Sequence, residues 1–183
     1  MRINEPAEYV ILGLLMSRPM HGYELFHHFE RGIMREMVHL EMSQMYAFLK
    51  KLEHLNYIQA QIKTQGNRPP RKTFQISETG RSIFLSWLNL PVEKPRDIRL
   101  LFLLKLYFIE RLLPSHTSHL LDQQILACQR FLDHLEARQP TKIENGDEAF
   151  FAHVVLRSRI YQTRSLLDWL HELQKDLAIP SRE

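Results

Sequence analysis

The stretch SQMYAFLKKLEHLN, Ser43 to Asn56, decides how this chain is read. Ser43 has the side chain of a helix N-cap. Tyr46, Leu49, Leu52 and Leu55 then recur at three-residue steps, which draws one apolar stripe along a helix. Gln44, Ala47, Lys50, Lys51 and His54 fall on the opposite face. Asn56 suits the end of the helix, because asparagine tolerates the left-handed backbone in which helices often stop. A helix of this kind buries one side and leaves a polar, partly basic side free.

Outward from this helix the period changes. Tyr57 to Lys63 and Arg71 to Ile76 read as two short strands, and the turn residues of 64–70, TQGNRPP, separate them. Upstream, Pro6 opens a helix that carries Ala7, Val10, Ile11, Leu14 and Leu15 at helical spacing. His21 to Gly32 reads as a second amphipathic helix through Tyr23, Leu25, Phe26 and Phe29. Downstream, Ser77-Glu78-Thr79-Gly80 starts a further helix with Ile83, Phe84, Trp87 and Leu88 on its buried side. The predicted order is helix–helix–helix–strand–strand–helix, that is, a winged helix-turn-helix over residues 1–90.

Pro91 and Pro95 mark a stiff joint at 91–96. Everything beyond it, 97–183, is expected to be helical. One helix runs from Asp97 to about Leu113, a second from about Ser115 to Arg138, and a third from about Asp147 to Ala178, closed by Pro114, Pro140 and Pro180. Leu121, Ile125, Cys128, Leu132 and Leu135 form a seam like that of a coiled coil. Leu156, Ile160, Thr163, Leu167, Leu170, Leu173 and Leu177 form another. A final helix of about 32 residues spans roughly 48 Å, too long to bury itself on one small domain. The fold class is therefore mainly α with a small two-stranded β wing, followed by an antiparallel helical dimerisation domain.

The 183 residues are 44% apolar and 25% charged, an ordinary globular balance. The single cysteine, Cys128, excludes an internal disulfide framework and any multi-cysteine metal centre. No apolar run approaches the ~18 residues of a membrane span, and no secretory signal pattern opens the chain. A cytoplasmic location without membrane attachment is the expectation. The net charge of +3 resides entirely in residues 1–90, and 58–81 holds five basic residues against Glu78 alone. A local basic excess is the footprint of a polyanionic partner.

These features converge on double-stranded DNA. A helix with a free polar face fits a major groove about 12 Å wide. Ser43 and Gln44 sit at its leading end, where Gln44 can hydrogen-bond adenine, and Lys50 and Lys51 can meet phosphates. The hairpin tip, with Asn67, Arg68, Arg71 and Lys72, is placed to reach an adjacent minor groove or backbone. Pro69 and Pro70 stiffen that tip and reduce the entropy lost on binding.

The same residues resemble the PadR family of transcriptional regulators. Ile11-Leu12-Gly13-Leu14-Leu15 followed by Pro19-Met20-His21-Gly22-Tyr23-Glu24-Leu25 is similar to that family's opening signature. Ser43-Gln44-Met45-Tyr46 with Leu49, Leu52 and Glu53 resembles its recognition-helix pattern. Asn67-Arg68-Pro69-Pro70-Arg71-Lys72-Thr73-Phe74 and Ser77-Glu78-Thr79-Gly80 resemble its wing and following helix. The resemblance implies that Tyr46 contacts DNA, although its spacing assigns it to the buried stripe. It also implies dimerisation through the C-terminal helices and permits a small hydrophobic effector. This chain departs from the pattern with Asn56 in place of glycine, Phe74 in place of tyrosine, and Gln44 in place of a small residue.

Catalysis has no support. No Gly-x-Ser-x-Gly, phosphate-cradling loop or Gly-x-Gly-x-x-Gly occurs, and Cys128 sits on an apolar seam. His116 and His119 share a helix face, but no further ligand type completes a metal set in the sequence nearby. No cofactor is expected. Trp87, Phe102, Phe108 and Phe151, with Tyr107 and Phe150, are the candidate border of an effector pocket, against the plainer reading that they are core. The expected function is a sequence-specific homodimeric repressor on a near-palindromic operator. The alternatives are a transcriptional activator and a winged-helix protein-interaction module.

Overall fold

The computed structural model describes residues 3–65, 68–139 and 147–178, without the side chains of 63–65 and 68–71. Prolines 140 and 180 lie outside the described residues. Two compact units emerge, Met1–Asn89 and Leu90–Glu183.

In the first unit, α1 (Pro6–Leu15) is buried on nearly all sides, from Ala7 to Leu15 with Tyr9 excepted. A helix apolar all round belongs in the middle of a core. A two-residue strand β1 (Met20–His21) leads into α2 (Gly22–Glu30) and then the short α3 (Gly32–Met37). Next come α4 (Met42–His54), β2 (Ile58–Gln65), β3 (Arg68–Ile76) and α5 (Glu78–Asn89). The core joins Val10, Ile11 and Leu12 to Leu25, Phe29, Met45, Leu49, Leu52, Ile58, Phe74, Phe84 and Leu88. Tyr9 stacks on Trp87 with ring centroids 4.3 Å apart.

Three features correct the sequence reading. The sheet has three strands in the order β1-β3-β2, because Met20 and His21 pair with Phe74 and Thr73. Two residues are too few for alternation to show. The helix α3 was not expected, since its six residues bury only Met34 and carry no period. Ile83 is 36% exposed, so α5 packs through Gly80, Phe84 and Leu88.

Asn56 adopts φ 56°, the left-handed stop expected of it. The next turn is held by Ser77, whose N–H donates to the Tyr57 carbonyl at 3.0 Å and whose hydroxyl accepts from the Gly80 N–H at 3.0 Å. Gly80 is required there: a Cβ on it would lie 2.0 Å from the Tyr57 oxygen.

The second unit comprises α6 (Pro95–Leu112), a 3-10 turn (Pro114–His116), α7 (Thr117–Glu136) and α8 (Asp147–Ala178). The expected seam on α7 is buried at Leu121, Cys128, Leu132 and Leu135, and that on α8 at Ile160, Thr163, Leu167 and Leu170. Gln174 bonds Asp122 and Arg164 bonds Glu136, each at 2.7 Å, so α7 and α8 run antiparallel. The helix α8 is 32 residues long, about 48 Å. Its first turns leave Phe150, Phe151, Val154 and Val155 exposed.

Leu90 to Val92 belongs to this second unit. The fully buried Gln124 side chain accepts from the Val92 N–H at 2.7 Å and donates to the Val92 carbonyl at 2.8 Å. Lys105 donates to the Leu90 carbonyl at 2.7 Å. Burial pushes the Lys105 ammonium down to about 8. Part of the proline-bearing joint is thus clamped by side chains that read its backbone. No described helix is long and apolar enough to cross a membrane.

Candidate nucleic-acid interface

The helix α4 begins two residues earlier than its sequence reading. Its N-cap is Glu41, and the Glu41 N–H donates to the Gln44 side-chain oxygen at 3.0 Å in a capping box. Ser43 therefore lies inside the first turn, exposed. Glutamate is not among the residues preferred at an N-cap, so Glu41 carries no cap signal in the sequence.

The buried stripe of α4 is Met45, Leu49 and Leu52. Leu55 is half-buried and Tyr46 is 51% exposed, so Tyr46 leaves the stripe to which its spacing assigned it. The Tyr46 ring instead rests against Gly22, where a Cβ would meet its Cε1 at 3.1 Å. Glycine at 22 thus lets α2 approach α4 closely and seats the ring at the surface. Ser43, Gln44, Tyr46, Ala47, Lys50 and His54 all face solvent.

Lys51 does not share that exposure. Its ammonium lies 2.7 Å from Glu8 Oε1 and 2.9 Å from Oε2 on α1. The Glu8 carboxylate is completely buried and also accepts from the Asn4 and Glu5 N–H groups at 2.9 and 3.1 Å. Sequence reasoning missed Glu8. The only signal available was an acid amid an apolar helix, and that position is also an ordinary first-turn acid.

The base of the wing is tied in twice. The Lys72 ammonium bonds Glu53 of α4 at 2.8 Å and stands 5.1 Å over the Phe74 ring. Nδ1 of His21 lies 3.1 Å from both the Lys72 carbonyl and the Thr73 hydroxyl. Lys72 remains about half exposed. Asn67 and the side chains of Arg68 and Arg71 lie outside the described residues.

The aromatic residues named for an effector pocket fall in both units. Trp87 belongs to the first unit, stacked on Tyr9. Phe102 and Phe108 are buried in the core of the second unit, and Phe151 is 63% exposed on α8. The second unit does contain an open cavity of about 1270 Å³ lined by Lys94, Arg96, Arg99, Phe131, Arg159, Tyr161 and Trp169 among others, and by none of the four. Among the described residues no three His, Cys, Asp or Glu side chains gather as a metal site would require.

With this geometry in view, residues 11–85 match the model of the transcriptional regulator PadR-like family. Residues 11–85 are a domain of the PadR-like family of transcriptional regulators. Residues 98–178 match a second family model, virulence activator alpha C-term. The negative transcriptional regulator PadR of Bacillus subtilis is 24% identical over 172 residues, which cover 91% of this chain and 94% of that protein. A probable transcriptional regulator of Mycobacterium tuberculosis is 25% identical over 186 residues, covering 92% and 96%. Among solved structures, Bacillus subtilis PadR in complex with operator DNA is 24% identical and covers 95% of this chain and 99% of that one, with a TM-score of 0.48. The same protein in complex with p-coumaric acid covers 94% and 98%, with a TM-score of 0.41. As a PadR-type protein, the chain is a DNA-binding transcriptional regulator.

Proposed function

We propose that this regulator is a homodimeric repressor that places one α4 helix of each subunit in successive major grooves of a near-palindromic operator. The observation that carries the reading is the free face of α4: Ser43, Gln44, Tyr46 and Lys50 are exposed while Met45, Leu49 and Leu52 anchor the opposite side. Gln44 can reach adenine, Tyr46 offers a ring and a hydroxyl to the groove, and Lys50 meets phosphate. Asn67, Arg68, Arg71 and Lys72 of the wing reach the neighbouring backbone or minor groove. Half-sites then lie one helical turn, about 34 Å, or a multiple apart.

The Bacillus subtilis relative's description as a negative regulator supports repression. Dimerisation is supported by the exposed Phe150, Phe151, Val154 and Val155 on α8, an apolar set that gains from a partner surface. A small hydrophobic effector that relieves repression belongs to the same reading, and the cavity of the helical unit, with Phe131, Tyr161 and Trp169 in its wall, supports it. The protein acts in the cytoplasm, where its DNA is, and performs no catalysis.

Selection from a random duplex pool at fixed moderate salt tests the proposal. The expected product is an enriched near-palindrome, bound by a species that sediments as a dimer. Binding weaker than about 10⁻⁶ M without sequence preference would exclude it.

A further inference from the structure

A reading helix is useful only if its rotation about its own axis is fixed, because base contacts tolerate misplacement of about 0.5 Å. The apolar stripe of α4 sets that rotation coarsely. Burial of Met45, Leu49 and Leu52 is non-directional, and methionine adapts to irregular gaps. The Glu8–Lys51 pair is directional. Glu8 sits in the first turn of α1, its carboxylate already oriented by the N–H groups of Asn4 and Glu5. Lys51 reaches it from the third turn of α4 with both carboxylate oxygens within 2.9 Å. A buried ion pair adds little net stability over an apolar pair of similar volume, so stability alone does not account for it.

The pair also borders the reading face. At 100° per residue Lys51 projects within about 40° of Ala47 and about 20° of Gln44, both exposed. Turning α4 enough to break the pair would therefore carry Gln44 and Tyr46 away from their places.

We infer that Glu8 and Lys51 are positioning residues for base reading: the pair, anchored on the buried Glu8 carboxylate, fixes the rotation of α4, and Lys51 makes no phosphate contact of its own. The inference rests on α4 being the helix that reads DNA.

The test uses the full chain, the operator obtained by selection, and a scrambled duplex, with affinities measured across a salt series. The variants are Glu8→Gln, Lys51→Met and the two combined, compared at a temperature where thermal melts show each to be folded. Glu8→Gln leaves an unpaired lysine, and if it fails to fold the double variant still serves, since it removes both charges. Each folded variant is expected to lose about ten- to hundredfold in operator affinity, the range of one or two displaced base contacts. Affinity for the scrambled duplex and the salt slope should stay unchanged. The double variant should lose no more than the worse single, because both remove one interaction. A merely structural role would weaken both duplexes alike, in proportion to the unfolded fraction.

Two further results would overturn the inference. In one, Lys51→Met weakens both duplexes and flattens the salt slope by about 1 while Glu8→Gln binds normally, which makes Lys51 a phosphate contact. In the other, every variant keeps the full operator preference. Lack of preference in the unmutated chain would instead remove the reading of α4 on which the inference stands.

Discussion

Each of the two units draws a lysine largely out of solvent and gives it a different partner. In the first, Lys51 meets the Glu8 carboxylate at 2.7 Å. In the second, Lys105 donates to the Leu90 carbonyl, and burial lowers its pKa to about 8. The first arrangement ties one short helix to another; the second ties a long helix to an extended segment of backbone. The glycines divide in the same way. Five of the six lie in the first 80 residues, and none occurs between 81 and 145. A unit of short elements needs close backbone approaches at its corners, as at Gly80 and Gly22. A unit of long helices instead needs uninterrupted seams and a few buried polar side chains to hold what is not helical. Each unit also holds one tryptophan, Trp87 or Trp169, so the two can be followed separately by fluorescence in single-tryptophan variants.

The largest effect is expected from Gly80→Ala. Its methyl would collide with the Tyr57 carbonyl at 2.0 Å, and that obstacle is backbone, which has little room to give. Destabilisation at or beyond the usual ~3 kcal/mol of overpacking should appear in the Trp87 signal. An unchanged melting temperature would show that the corner of the wing is not the rigid element described.

Gln124→Leu strikes the corresponding point of the second unit. It leaves the Val92 N–H and carbonyl without their side-chain partner in a buried place. A loss of about 2–4 kcal/mol is expected in urea unfolding followed at Trp169. A loss well below 1 kcal/mol would mean that Val92 readily finds other partners.

Lys105→Met separates the two lysines by pH. The folded pKa of Lys105 lies below its unfolded value of 10.5, so between about pH 8 and 10.5 the unfolded chain binds the extra proton. Stability contributed by this group therefore rises with pH across that window, by up to about 3 kcal/mol. The stability of the natural chain relative to Lys105→Met should climb accordingly, and parallel pH profiles for the two proteins would contradict the assignment.

The smallest effect on folding belongs to Lys50→Ala, an exposed change on the free face of α4. Stability should move by less than about 0.5 kcal/mol. DNA affinity should fall for all sequences, with a salt slope smaller by about 1. An unaltered slope would remove Lys50 from the phosphate-binding set and narrow the contrast with Lys51.

Much of this architecture was legible in advance where the signal was local. The long helices of the second unit began and ended within a few residues of the prolines and polar caps that announced them. Asn56 stopped α4 as its αL tolerance implied. The candidate site was legible only in part. Gln44 and Lys50 lie on the exposed face to which their spacing assigned them, but the stripe of α4 differs at its first position, where Met45 and not Tyr46 is buried. Tyr46 and Met45 are both large enough to bury, and they lie three and four residues before Leu49, separations that both fit a helical stripe. The strand at Met20 was too short to alternate, and its pairing with Phe74 joins residues more than fifty positions apart.

What the sequence by itself determined was the kind and order of the elements other than β1 and α3, together with the location of the basic excess. Periodicity, caps and proline positions act within a turn or two of the chain, so a linear reading captures them. Tertiary structure decided which side of α4 faces outward, that Lys51 is spent on Glu8 instead of remaining free, and that Val92 is held by Gln124. Each of these depends on which distant groups share one buried volume, where an unpaired charge or amide costs more than any local preference supplies.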